Sequence, residues 1–180
     1  YVDIKSETEK IDSGSKLQNM QEFCNRAMNL LENIHCVMVP SSSSLVEILN
    51  GACDKLNGQR NHIVDSLMKR HYTNSTLFPD FGFGLFHSIC EVDEFTIVFV
   101  FNEQDCFTHE ECEQVKFIYV ICVPIIANEA EKLCLSYMNG ELVVDEKLIE
   151  LILTKDIYKI RAEYERGFLK AIIGKFNDEG

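Results

Sequence analysis

The run Phe81-Gly82-Phe83-Gly84-Leu85-Phe86-His87-Ser88 holds the residue types best suited to chemistry in this chain. A neutral imidazole nitrogen is a competent nucleophile near neutral pH, because its unperturbed pKa lies near 6.5. Small residues beside a histidine let a phosphate group approach backbone N–H groups, so Gly82 and Gly84 are candidate phosphate contacts and His87 the candidate acceptor. Taken alone, the same run also reads as two glycines relieving crowding and a satisfied histidine at a strand end. A second grouping, Cys106, His109 and Cys112, could bring three soft ligands together. Structural zinc asks for four protein ligands, and this spacing matches none of the familiar cysteine pairings. It reads as an acidic loop with incidental thiols, and no metal is expected. His35, His62 and His71 stand singly, as structural or solvated residues.

Composition narrows what such a site could serve. The 180 residues make one domain, or one domain with an extension. With 46% hydrophobic and 26% charged residues the chain is an ordinary globular sequence. Seventeen Lys and Arg against 29 Asp and Glu leave a formal charge of −12, which repels phosphate backbones and anionic lipid. Neither direct nucleic-acid binding nor membrane association is expected, whereas a basic protein partner could dock. No apolar run reaches the length of a membrane span, and no signal peptide is visible. The eight cysteines lie mostly within apolar stretches such as Tyr119 to Val123, which suits reduced thiols and a cytoplasmic location. The first residue is Tyr1 and not Met, as in a segment cut from a longer chain.

The elements that must hold the histidine follow from periodicity. Residues 1–15 are polar and aperiodic and read as a frayed leader. Leu17, Met20, Phe23, Ala27, Leu30, Leu31 and Ile34 recur at helical spacing. A short β-like stretch ends at Pro40, and four serines follow. Ser44 with Glu47 forms a capping-box signature that opens a helix through Leu56, closed by Gly58; a second helix spans roughly 60–71. Phe95–Phe101 and Val115–Val123 are continuous apolar runs, as in strands buried on both faces. Between them lies an acidic connection, and after Pro124 come helical stretches at about 127–138, 145–154 and 156–173. The order predicts an α/β domain: a mixed β-sheet flanked by helices, with an added N-terminal helix. The expected division is a leader, helix and linker over 1–44, the domain over 45–173 and a tail over 174–180.

Over roughly residues 45–173 this order resembles the enzyme IIA domains of the mannitol/fructose type from the bacterial sugar phosphotransferase system. Thr76 to His87 occupies the place of the family's glycine-rich run ending in histidine, with Thr76, Gly82, Leu85 and His87 matching in kind. Val144-Asp145-Glu146-Lys147-Leu148-Ile149 looks like its late Asp-Glu helix, and Lys155 to Ile160 like its final one. The resemblance implies that His87 accepts a phosphoryl group from the phosphocarrier protein HPr, that Arg70, the nearest match to an arginine of the preceding helix, stabilises the charge, and that no cofactor is needed. An enzyme IIB domain or other domains of the same longer chain are further partners it implies.

Three positions depart from the family pattern. Asp80 stands where glycine is usual, Phe86 replaces the proline before the histidine, and Asn128 to Lys132, where a second histidine is usual, contains none. A carboxylate near the site would oppose an incoming phosphate. Such an altered site suits the enzyme IIA-like domain of a sugar-responsive transcriptional regulator of the antiterminator type, with a transport component as the other phosphoacceptor role. The alternative from another class is a phosphorylation-dead module that keeps the fold and docks a protein.

Overall fold

A computed structural model describes the backbone of residues 4–178 and the side chains of residues 16–137 and 145–178. Its frame is a five-stranded mixed sheet of order β1-β4-β5-β3-β2. The strands are β1 (Ile34–Val39), β2 (Leu77–Phe78), β3 (Phe83–Cys90), β4 (Thr96–Asn102) and β5 (Phe117–Pro124). β4 runs parallel to β1 and antiparallel to β5, β5 runs parallel to β3, and the short β2 is antiparallel to β3. β4 and β5 are buried along their whole length, which explains why both read as unbroken apolar runs.

Alternation along these strands divides the core in two. On one face Ile97, Phe99 and Phe101 of β4 and Phe117, Tyr119 and Ile121 of β5 meet α1 (Ile4–Glu32), α4 (Glu129–Val144), α5 (Glu146–Leu153) and α6 (Ile157–Asp178). Phe99 stacks on Tyr119 with ring centroids 4.7 Å apart. On the other face Val98, Val100, Ile118, Val120 and Cys122 meet α2 (Leu45–Ala52) and α3 (Arg60–Thr73). The result is a three-layer α/β/α arrangement, and among the described residues no helix is long and apolar enough to cross a membrane.

Ser44 caps α2 as its spacing implies, its Oγ accepting from the Glu47 N–H at 3.3 Å. The α-helix stops at Ala52, and a 3-10 turn over Cys53–Lys55 carries the chain to Leu56. Two segments differ from the reading of the sequence. The expected leader is helical from Ile4 onward: apolar periodicity begins only at Leu17, but the stretch before it holds no proline and helix can extend past its buried face. At the other end α6 continues through the expected tail to Asp178 and buries Phe176 against Phe23, ring centroids 5.3 Å apart. Gly174 faces open space there and does not break the helix. The segment before Leu45 is also part of the sheet, since β1 pairs with β4 from Ile34 to Val39.

Candidate functional site

β3 and β5 run side by side and end together, Cys90 opposite Pro124. β2 pairs only with Phe83 and Gly84, so beyond Leu85 the outer edge of β3 has no strand partner. The Leu85 N–H donates across this edge to the Thr76 carbonyl at 2.8 Å. Backbone polar groups alternate sides along a strand, so the N–H groups of His87 and Ile89 face the same open edge. Side chains alternate too. His87 shares the face of Phe83 and Leu85, toward α4, while Ser88 shares that of Phe86, toward α3.

On the His87 side a cavity of about 560 Å³ lies between Arg70, the end of β3, the segment Val123–Ala127, and Lys132 and Leu135 of α4. A second cavity of about 380 Å³ lies on the Ser88 side and is lined by Ser66, Lys69, Arg70, Thr73 and Asn74 as well. Arg70 borders both. Its place in the last turn of α3 is held by the connection that follows: the Asn74 N–H donates to the Arg70 carbonyl at 3.1 Å, and His71 Nδ1 meets Thr76 Oγ1 at 2.8 Å. The His71 ring lies 5.6 Å from that of Phe86, and the Ser66 hydroxyl bonds that of Ser88, pinning α3 to β3.

The electrostatics of the larger cavity are one-sided. Its ionisable lining groups, among the described residues, are His87 and two cations, Arg70 and Lys132; no carboxylate lines it. The Lys132 ammonium also reaches Glu129 Oε1 at 3.3 Å, outside the lining. Burial, and secondarily the Arg70 guanidinium, hold the His87 imidazole below its usual pKa of 6.5. At neutral pH it is therefore a neutral imidazole with one ring nitrogen free to act as a nucleophile, in a cavity that also holds the Arg70 and Lys132 cations.

No protein-family model and no curated protein matches the chain. Among solved structures, nitrogen regulatory protein IIA-Ntr from Neisseria meningitidis superposes with a TM-score of 0.58 at 17% identity, covering 74% of this chain and 97% of that one. The chain has an enzyme IIA-like fold. The mixed sheet flanked by helices and the N-terminal helix expected from the sequence are both present, the sheet having five strands.

Within this enzyme IIA-like fold the expected site residues separate into two groups. Arg70 and His87 border one cavity. Gly82 and Gly84 are not brought to it. Three residues along a strand span about 10 Å, which already removes Gly84 from the imidazole. Gly84 pairs with Leu77 and Ile118, and a Cβ there would lie 2.7 Å from Ile118 Cδ1 and 2.8 Å from Leu77 Cδ2. Gly82 adopts φ +78° at the end of the 3-10 turn Pro79–Phe81, and its N–H donates to the Pro79 carbonyl at 3.0 Å. Both glycines shape the entry to β3, and the backbone donors that face the histidine's edge are those of His87 and Ile89. Asp80 lies in that same turn, exposed and beyond Gly82 from His87, so it does not enter the cavity.

Sequence reading missed three contributors. Lys132 closes the stretch Asn128 to Lys132, which contains no histidine. Ile125 and Ile126, directly after Pro124, are 69% and 91% exposed at the rim, beside Ile89 at 66%. Two isoleucines directly after a strand-ending proline were the available signal; for Lys132 there was none. The Cys106–Cys112 stretch is built differently from a metal loop: the Cys112 thiol is buried and donates to the Ser43 carbonyl at 3.7 Å, and His109 Nδ1 accepts from the Glu111 N–H at 3.2 Å. All eight cysteines are free thiols.

Proposed function

We propose that this chain is a phosphoacceptor domain related to the mannitol/fructose-type enzyme IIA domains, taking a phosphoryl group from HPr onto His87, as the sensor domain of a transcriptional regulator. The observation that carries the reading is the half-buried, neutral His87 facing a cavity whose only other ionisable lining groups, among the described residues, are Arg70 and Lys132. In the transfer, a ring nitrogen of His87 attacks phosphorus in line. The P–N bond to the donor histidine breaks as the new one forms, and the proton released by the His87 ring passes to the donor imidazole. Such a reaction asks the protein mainly for position and charge stabilisation. Arg70 meets the phosphoryl oxygens, and the N–H groups of His87 and Ile89 lie on the open strand edge that borders the cavity. The regulatory role, as against a transport component, draws support from the structural neighbour, itself described as a regulatory protein.

With phosphoenolpyruvate, enzyme I and HPr, the wild-type chain should take up one phosphoryl group that is labile to acid and stable to base, the signature of a P–N bond. Absence of label with its own organism's phosphocarrier would sink this reading. A second reading, a docking module that is never phosphorylated, is favoured by one observation: the exposed apolar rim of Ile89, Ile125 and Ile126 around the cavity. In that case binding to a protein partner persists when His87 is replaced.

A further inference from the structure

We propose that Lys132 is a second phosphoryl-contacting residue, closing on the transferred group from the side opposite Arg70. The inference rests on the phosphoacceptor reading of His87 and extends it to a residue of α4. A phosphoryl group carries close to two negative charges when it arrives, and Arg70 supplies one positive charge. The cavity's other cation is Lys132, on the wall formed by α4.

Local structure explains why this lysine is available. Asn128 and Glu131 cap α4 reciprocally: the Glu131 N–H donates to Asn128 Oδ1 at 2.9 Å and the Asn128 N–H to Glu131 Oε2 at 3.1 Å. The cap occupies Glu131 and orders the first turn of α4, in which Lys132 lines the cavity. Its one ion-pair partner there is Glu129, at 3.3 Å with both side chains well exposed, 59% and 71%. An exposed pair three residues apart holds a lysine weakly, and a phosphoryl dianion outcompetes a single carboxylate for it. No carboxylate intervenes in the cavity between Lys132 and His87 among the described residues.

The test uses phosphoramidate, a small P–N phosphoryl donor that needs no protein docking. Its P–N bond breaks as the bond to His87 forms, and the ammonia released takes up the proton that the His87 ring gives up. Label on His87 should form about 10-fold or more slowly in Lys132→Ala, and within about 3-fold of wild type in Lys132→Arg. Lys69→Ala, which alters only the neighbouring cavity, should stay within about 2-fold, separating direct contact from general charge. The phosphorus NMR titration midpoint of phospho-His87 should lie lower in wild type than in Lys132→Ala, because a cation disfavours protonation of the phosphoryl oxygens. A merely structural lysine would not move that midpoint. A labelled wild type with Lys132→Ala equal in rate and midpoint overturns this inference alone, as does equal slowing by Lys69→Ala. A wild type that takes no label from phosphoramidate or from the phosphocarrier overturns the phosphoacceptor reading and this inference with it.

Discussion

Two cavities of similar size lie on either side of the first turn of α4, and their charges are opposite. The His87 cavity, about 560 Å³, is lined by Arg70 and Lys132 with no carboxylate among the described residues. The other, about 520 Å³, lies beside the end of α1 and the start of β4 and is lined by Glu32, Asp93, Glu94 and Glu131, with Arg26 as its cation. Successive residues on a helix point about 100° apart, so Glu131 and Lys132 enter different cavities although they are neighbours in sequence. A formal charge of −12 describes the chain as a whole and is silent about this partition. It is the local field, not the net charge, that makes the His87 cavity favourable to an anion.

The largest expected effect breaks the comparison outright. His87→Ala should abolish the acid-labile label, whereas Glu94→Gln in the acidic cavity should leave uptake within about 2-fold of wild type, as expected of a surface residue away from the chemistry. Equal loss in both would mean that the two cavities act as one unit. Arg70→Ala comes next, slowing uptake by up to about 10²–10³-fold without ending it, as measured by single-turnover transfer from phosphorylated HPr. Since Asp80 lies outside the cavity, Asp80→Gly should leave that rate unchanged.

Gly84→Ala sharpens the contrast between shaping β3 and acting at its end. The added Cβ collides with Ile118 and Leu77, so denaturant unfolding should show a loss of about 1–3 kcal/mol, while the surviving folded protein still accepts label. The smallest effect is a titration shift. By proton NMR His87 should titrate below 6.5, and Arg70→Ala should move its midpoint up only part of the way, because burial is the larger cause. The sign for stability follows by linkage. With the folded pKa below the unfolded one, the unfolded chain binds more protons in that window, so the contribution is complete above pH 6.5 and is lost as pH falls through the folded value. A midpoint at or above 6.5 would contradict the desolvated, cation-flanked environment.

The features legible along the chain were local or periodic. Unbroken apolar runs marked β4 and β5 because both of their faces are buried, and Ser44 with Glu47 marked the start of α2 because a cap is settled within four residues. His87 was singled out by its glycine-bearing run together with the family resemblance over residues 45–173. The sequence also showed a glycine pair close to the histidine, but nearness along a strand is not nearness in space, and an extended backbone carries Gly82 and Gly84 away from the imidazole. Only the tertiary structure decided which charges meet it. Both faces of the central strands are apolar, so no pattern within them reveals that β3 lies beside β5 with its far edge open. That order sets the end of α3 on one side of His87 and the start of α4 on the other, joining Arg70 and Lys132, which are remote along the chain, across one cavity. Hydrophobic periodicity records which face of an element is buried; the neighbour it is buried against is chosen by the packing of the whole sheet and its helices.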